Sequence, residues 1–120
     1  MPFVSKTQKP PYFAVVFTSV NADVDQTEHT EMYGRMLELV QGYAGFLGIE
    51  PARNPDGTGV AVVYWKDRES MTAFARDPAH MIAKQKGREI WYRTTSSAFA
   101  RLNATMGGRT DRHWRPREAV

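Results

Sequence analysis

An α+β sandwich with the element order βαββαβ is what this sequence predicts, and three observations predict it. Four stretches are rich in β-branched and aromatic residues. Two others carry apolar residues at helical spacing, the second interrupted by Asp77-Pro78, and Gly, Pro, Asn and Asp fall between them. The 120 residues, 42% hydrophobic and without cysteine, suit one domain around one core.

Residues 12–19 (YFAVVFTS) follow Pro10-Pro11 and read as the first strand. A helix over residues 27–41 comes next, with Asp25 as N-cap, Glu28 three residues on, and Met32, Tyr33, Met36, Leu37, Leu39 and Val40 on one face. Gly42 and Gly45 end it, and residues 46–53 form the second strand. Pro51 suits an edge position there, because proline donates nothing to a ladder. Asn54-Pro55-Asp56-Gly57 turns the chain into a third strand, residues 58–66, so the two form a hairpin. Asp67 caps the next helix, which breaks at Asp77-Pro78 and restarts over residues 78–86 with Met81 and Ile82 toward the core. Gly87 stops it, and residues 90–102 are the last strand.

This order is that of the ferredoxin-like sandwich, in which helices cover one sheet face only. Yet both faces of the first and third strands are apolar: Phe13, Val15 and Phe17 alternate with Ala14 and Val16, and Val60, Val62 and Tyr64 with Ala61, Val63 and Trp65. The face without helices is therefore expected to be covered by a second copy in a homodimer.

The net charge of +3 resides mostly in the tail, where Arg109, Arg112, Arg115 and Arg117 face only Asp111 and Glu118. The folded region lacks the clustered positive charge that a phosphate backbone requires. The third strand matches an RNA-recognition signature in part, but Val60 and Val62 hold the stacking positions, so no nucleic acid is expected as a partner. Apolar runs such as residues 14–17 and 60–65 are far short of a transmembrane helix, and the first residues have no signal-peptide pattern. A cytoplasmic protein with no membrane partner is the expectation. His29, His80 and His113 show no metal-ligand spacing, and Gly42, Gly45 and Gly48 follow a helix rather than a strand, the wrong order for a dinucleotide loop. The domain boundaries expected are an N-terminal arm (1–11), the folded domain (12–102) and a basic C-terminal tail (103–120).

The opening YFAVVF, Tyr33 with Met36, the run Gly45, Phe46, Leu47, Gly48, then Tyr64, Trp65, Lys66, Asp67, His80, and residues 87–92 (GREIWY) together resemble the antibiotic biosynthesis monooxygenase (ABM) domain family. The resemblance covers about residues 12–102 and implies a dimeric α+β barrel. Active members oxidise aromatic polyketides without flavin or metal, or bind and degrade haem. In the cofactor-free reaction an ionised phenol or enol reacts with dioxygen, which requires a base, oxyanion donors and aromatic walls.

The resemblance thus implies a cofactor-independent monooxygenase acting on a small aromatic or enolic ligand, with no bound cofactor. The alternative is a non-catalytic, ligand-binding or stress-related dimer of the same fold. His80, near the start of the restarted helix, is the candidate base, since the helix dipole keeps an imidazole there neutral; the competing reading is a structural histidine. Tyr33, Tyr64, Trp65 and Trp91 are candidate ligand-binding residues, with Tyr92 a further wall and Arg88 and Arg53 as anion partners. Strand alternation allows only one of Tyr64 and Trp65, and one of Trp91 and Tyr92, to face a given cavity. His29 is expected to be solvated. Haem-degrading relatives are similar to one another in a first-strand Asn, a second-helix Trp and an iron-binding His. Here residues 12–18 contain no Asn, and Phe74 and Lys84 hold the other two places, which argues against haem.

Overall fold

The computed structural model describes residues 3–6 and 8–106. The tail residues 107–120, with the basic cluster and His113, lie outside the described residues. The element order is β1 (Tyr12–Asn21), α1 (Thr27–Gln41), β2 (Phe46–Arg53), β3 (Thr58–Trp65), α2 (Arg68–Ala75), α3 (Pro78–Lys86), a π-helical turn (Gly87–Trp91) and β4 (Tyr92–Leu102). The strands form one antiparallel sheet in the order β2-β3-β1-β4. Pro51 is on the edge strand β2, opposite Ala61, where its missing N–H costs no ladder bond.

Register defines the faces. Val15 pairs with Val63 and Phe99, and Phe17 with Ala61 and Ser97, so these side chains share the inner face beneath the helices. Val16, Val62 and Ala98 share the outer face. Trp65, only 2% exposed, anchors the inner core. Its ring lies 5.8 Å from Phe46, 5.5 Å from Phe74 and 6.4 Å from Tyr43, centre to centre.

Two irregularities re-aim side chains. Phe46 pairs with Trp65 but Gly48 with Tyr64, leaving Leu47 as an extra residue; Val20 pairs with Thr94 but Asn21 with Tyr92, leaving Arg93 extra. Such a bulge reverses the alternation beyond it, so Tyr92 joins the inner face, its ring 5.5 Å from that of Phe17.

The helix starts at Asp67 and Asp77 are as expected. Asp67 accepts from the Ser70 amide at 2.8 Å, and Asp77 from the Ala79 amide at 2.9 Å, with proline in the first turn of α3. The capping box expected at Asp25 does not form. Gln26 is the N-cap, without a side-chain cap bond, while Asp25 accepts from the Thr27 amide and hydroxyl in a local turn. Met81 and Ile82 also differ from expectation, being 54% and 52% exposed. Successive helical residues are about 100° apart, and α3 turns His80, Ala83 and Lys84 inward, which carries Met81 and Ile82 to the opposite side. The last strand begins at Tyr92 rather than at residue 90 because the chain completes the π-helical turn first.

On the outer face, the end near Tyr12 is closed by the chain itself. Tyr12 stacks edge-on against Tyr64 and bonds to Thr105, the Tyr64 hydroxyl donates to Glu50 at 2.6 Å, and Glu50 accepts the Ser5 amide at 2.9 Å. Gly48 permits this approach, since a Cβ there would collide with the Ser5 side chain. The remainder of the face leaves Val60 39% exposed.

Candidate functional site

Between the inner sheet face and the helices lies a cavity of about 380 Å³. Tyr33, Trp65, His80, Arg88 and Trp91, five residues singled out in the sequence, line it. Tyr64 does not: it is on the outer face, bonded to Glu50, and burial followed by that bond pushes its phenol up to about 12. Alternation therefore separates Tyr64 from Trp65 as expected, whereas Trp91 and Tyr92 both line the cavity. Trp91 closes the π-helical turn and Tyr92 lies beyond the bulge, so neither obeys simple strand parity.

His80 occupies one end. Its ring stacks on Phe74 at 4.1 Å, and its Nδ1 lies 3.1 Å from the Phe74 carbonyl oxygen. A carbonyl only accepts, so Nδ1 carries the proton and Nε2 is left as the basic nitrogen. Burial holds His80 below its ordinary value of 6.5, outweighing the opposing effect of the Phe74 carbonyl. Around it are Phe74, Ala83 and Lys84 of the lining.

The opposite end was missed in the sequence. Trp65 is paired with Phe13 at the start of β1, and Tyr92 with Asn21 at its finish, so Tyr92 marks the far end of the sheet. Here His29 is not solvated: it stacks on Trp91 at 4.9 Å and meets the edge of Tyr92 at 4.8 Å. Gln26 donates through Nε2 to the carbonyls of Ala22 at 3.1 Å and Trp91 at 3.0 Å. Those bonds orient the amide so that its oxygen faces His29 Nδ1 at 2.7 Å, which assigns the proton to Nδ1. His29 Nε2 then accepts from the Tyr92 hydroxyl at 2.8 Å. The spacing 29, 32/33, 36, 40 was the available signal, because it extends the apolar stripe of α1 one turn back to His29.

Arg53 is fixed beside this cluster. Its guanidinium donates to the Gly57 carbonyl and the Ser19 hydroxyl, each at 2.6 Å, and is 5.8 Å from the centre of the Tyr92 ring. Gly59 makes room for it, since a Cβ there would fall 2.7 Å from Cζ. Burial is the main force lowering His29, with Arg53 adding to it; burial also raises Tyr33 and Tyr92, with Arg53 opposing. Among the described residues no Asp or Glu lines the cavity, whereas Lys84 and Arg88 do. The arrangement places two imidazoles of lowered basicity and two cationic side chains, Lys84 and Arg88, around an otherwise apolar, aromatic-walled cavity. Among the described residues no group of three or more His, Cys, Asp or Glu is placed to hold a metal ion, and no helix is long and apolar enough to cross a membrane.

The lowered histidines carry a consequence for stability. Both bind a proton less readily in the folded state than in the unfolded chain, so their contribution is complete above about pH 6.5. It is lost as pH falls through the lowered folded values. The melting temperature is expected to fall between pH 7 and 5, and His80→Gln should flatten that dependence. An unchanged slope in the variant would remove His80 as a contributor.

The four-stranded sheet with its helices on one face is a fold shared with proteins that include an antibiotic biosynthesis monooxygenase. The structure matches SnoaB, a cofactor-independent oxygenase from Streptomyces nogalater, with TM-score 0.68 and 14% identity over 81% of this chain and 98% of that one. It also matches a structure described as antibiotic biosynthesis monooxygenase, with TM-score 0.64 and 11% identity over 78% and 99% of the two chains. At these identities the likeness shows a shared fold and nothing of the chemistry. No family model matches the sequence. The chain belongs to the family of YqjZ, an uncharacterized protein of Bacillus subtilis (strain 168), with which it is 39% identical over 103 residues, 86% of this chain and 90% of that protein.

Proposed function

We propose that the chain is a cytoplasmic, homodimeric, cofactor-independent monooxygenase for a small aromatic or enolic compound. The observation that carries this reading is the neutral His80 at the end of an apolar cavity, with Nδ1 tied to the Phe74 carbonyl and Nε2 as the base. His80 removes a proton from the ligand; Trp65 and Trp91 hold its ring, with Tyr33 on the wall; Lys84 and Arg88 stabilise the anion. The anion passes one electron to dioxygen, the radical and superoxide combine into a peroxide anion at a ring carbon that still bears a hydrogen, and the His80 imidazolium returns its proton to give the hydroperoxide. Loss of water then leaves one oxygen atom in the product as a carbonyl and the other in water. The SnoaB likeness supports the reaction class.

Oxygen uptake with a panel of anthrones, quinols and enols tests it, with no flavin, nicotinamide or metal added. Uptake that survives a chelator is expected. Ligand binding without oxygen consumption above a heat-killed control would instead make the protein a binding module.

The outer face supports the dimer: Val16, Val62 and the part-exposed Val60 form an apolar surface beyond the segment covered by Ser5 and Thr105. Light scattering should give twice the chain mass. Val62→Asp should give a folded monomer, because a carboxylate in that contact would be desolvated without a partner. A wild-type monomer would remove the second copy from the account.

A further inference from the structure

We infer that Gln26, His29 and Tyr92 form a proton relay that ionises a phenolic or enolic hydroxyl of the ligand at the end of the cavity remote from His80. This deepens the reading above and rests on it for the reaction that follows. Tyr92 is the catalytic residue, since its side chain lines the cavity. Its hydroxyl hydrogen is committed to His29 Nε2 at 2.8 Å, so the Tyr92 oxygen faces a ligand as an acceptor. The ligand O–H proton moves to that oxygen as the phenol's own proton moves to His29 Nε2. Tyr92 ends neutral, the imidazole becomes imidazolium, and the ligand becomes an oxyanion. Gln26 acts through His29: its oxygen holds the Nδ1 proton at 2.7 Å, and its Nε2 bonds to Ala22 and Trp91 prevent the amide from turning over.

Within the relay Tyr92 on β4 faces His29; the other titratable and charged groups are Arg53 on β2, which acts on both, and Tyr33 on α1, which acts on Tyr92. Arg53 disfavours the imidazolium and favours the oxyanion, so the relay takes up a proton only as a negative oxygen forms beside it. His80 at the other end attends to a second position. The ligand class that uses both ends is a flat aromatic with an acidic hydroxyl at one end and a second ionisable site, a hydroxyl or an activated C–H, at the other.

The test uses the full chain and 4-nitrophenol, whose anion has its own absorption band, so no oxygenation is needed. Wild-type protein should bind the probe with an enhanced nitrophenolate band. Tyr92→Phe and His29→Gln should each lower the ionisation constant of the bound probe about tenfold, one pKa unit. Imidazole nitrogen NMR, assigned with His29→Gln, should show His29 as the Nδ1–H tautomer, and Gln26→Leu should mix the tautomers while the amide spectrum stays that of the fold. No probe binding, an unchanged band in both Tyr92→Phe and His29→Gln, or a wild-type Nε2–H tautomer would each overturn the relay. A functioning relay in a protein that consumes no oxygen with any ligand would overturn the monooxygenase reading alone.

Discussion

Trp65→Ala is expected to destabilise the domain by about 3–5 kcal/mol, the range for truncating a fully buried large aromatic. The side chain is 2% exposed and is packed by Phe46, Tyr43 and Phe74. Phe46 precedes the bulge at Leu47 and Phe74 is stacked on His80, so neither is expected to fill the vacated space fully. The loss therefore includes a cavity cost as well as the transfer of the indole to water. Denaturant unfolding should show a lower midpoint at an unchanged slope, with Trp65→Phe recovering part of the difference. A loss below about 1 kcal/mol would mean that the aromatic cluster relaxes freely, unlike a close-packed core. Because Trp65 also lines the cavity, the alanine variant should bind a flat ligand more weakly at temperatures where it remains folded.

Most of the fold was legible because local signals agreed with tertiary demands. Residues 27–41 and 46–53 have the predicted bounds, set by an apolar stripe that ends at glycine and by a turn at Asn54 to Gly57. What was illegible depends on events that periodicity does not encode. The extra residue Arg93 and the π-helical turn before it place Trp91 and Tyr92 together, against the parity that correctly divided Tyr64 from Trp65. Met81 and Ile82 were assigned inward on hydrophobicity alone, although the phase of α3 is set by His80, Ala83 and Lys84. Gln26 was passed over because its partner carbonyl at Trp91 is 65 residues away. With it went His29, which reads locally as a polar residue at a helix start and becomes a positioned base only when the sheet brings Tyr92 against it. His80, Trp65, Arg88, Trp91 and Tyr33, candidates from the sequence, line one cavity; their chemistry belongs to the proposed reaction.

His80→Ala should reduce turnover by about 10² to 10⁴, the usual range for removing a positioned general base. The substitution leaves the start of α3 intact, because Asp77 caps backbone amides and also accepts the Tyr43 hydroxyl at 2.6 Å, neither of which involves the imidazole. The change should appear in kcat rather than KM, since the ring is held mainly by Trp65 and Trp91. Its pH signature separates a base from a packing residue. Burial keeps His80 below 6.5, so wild-type turnover should persist into mildly acidic solution and fall only as Nε2 is protonated. The alanine variant should lose that acidic limb, and added imidazole should restore part of the rate. His80→Gln fills similar space without a base and should be as slow as alanine. If turnover in both variants stays within about threefold of wild type, far short of the loss a general base would give, the proton is not accepted at His80. The reaction would then depend on the His29 and Tyr92 end alone, and the ligand would need only one ionisable oxygen.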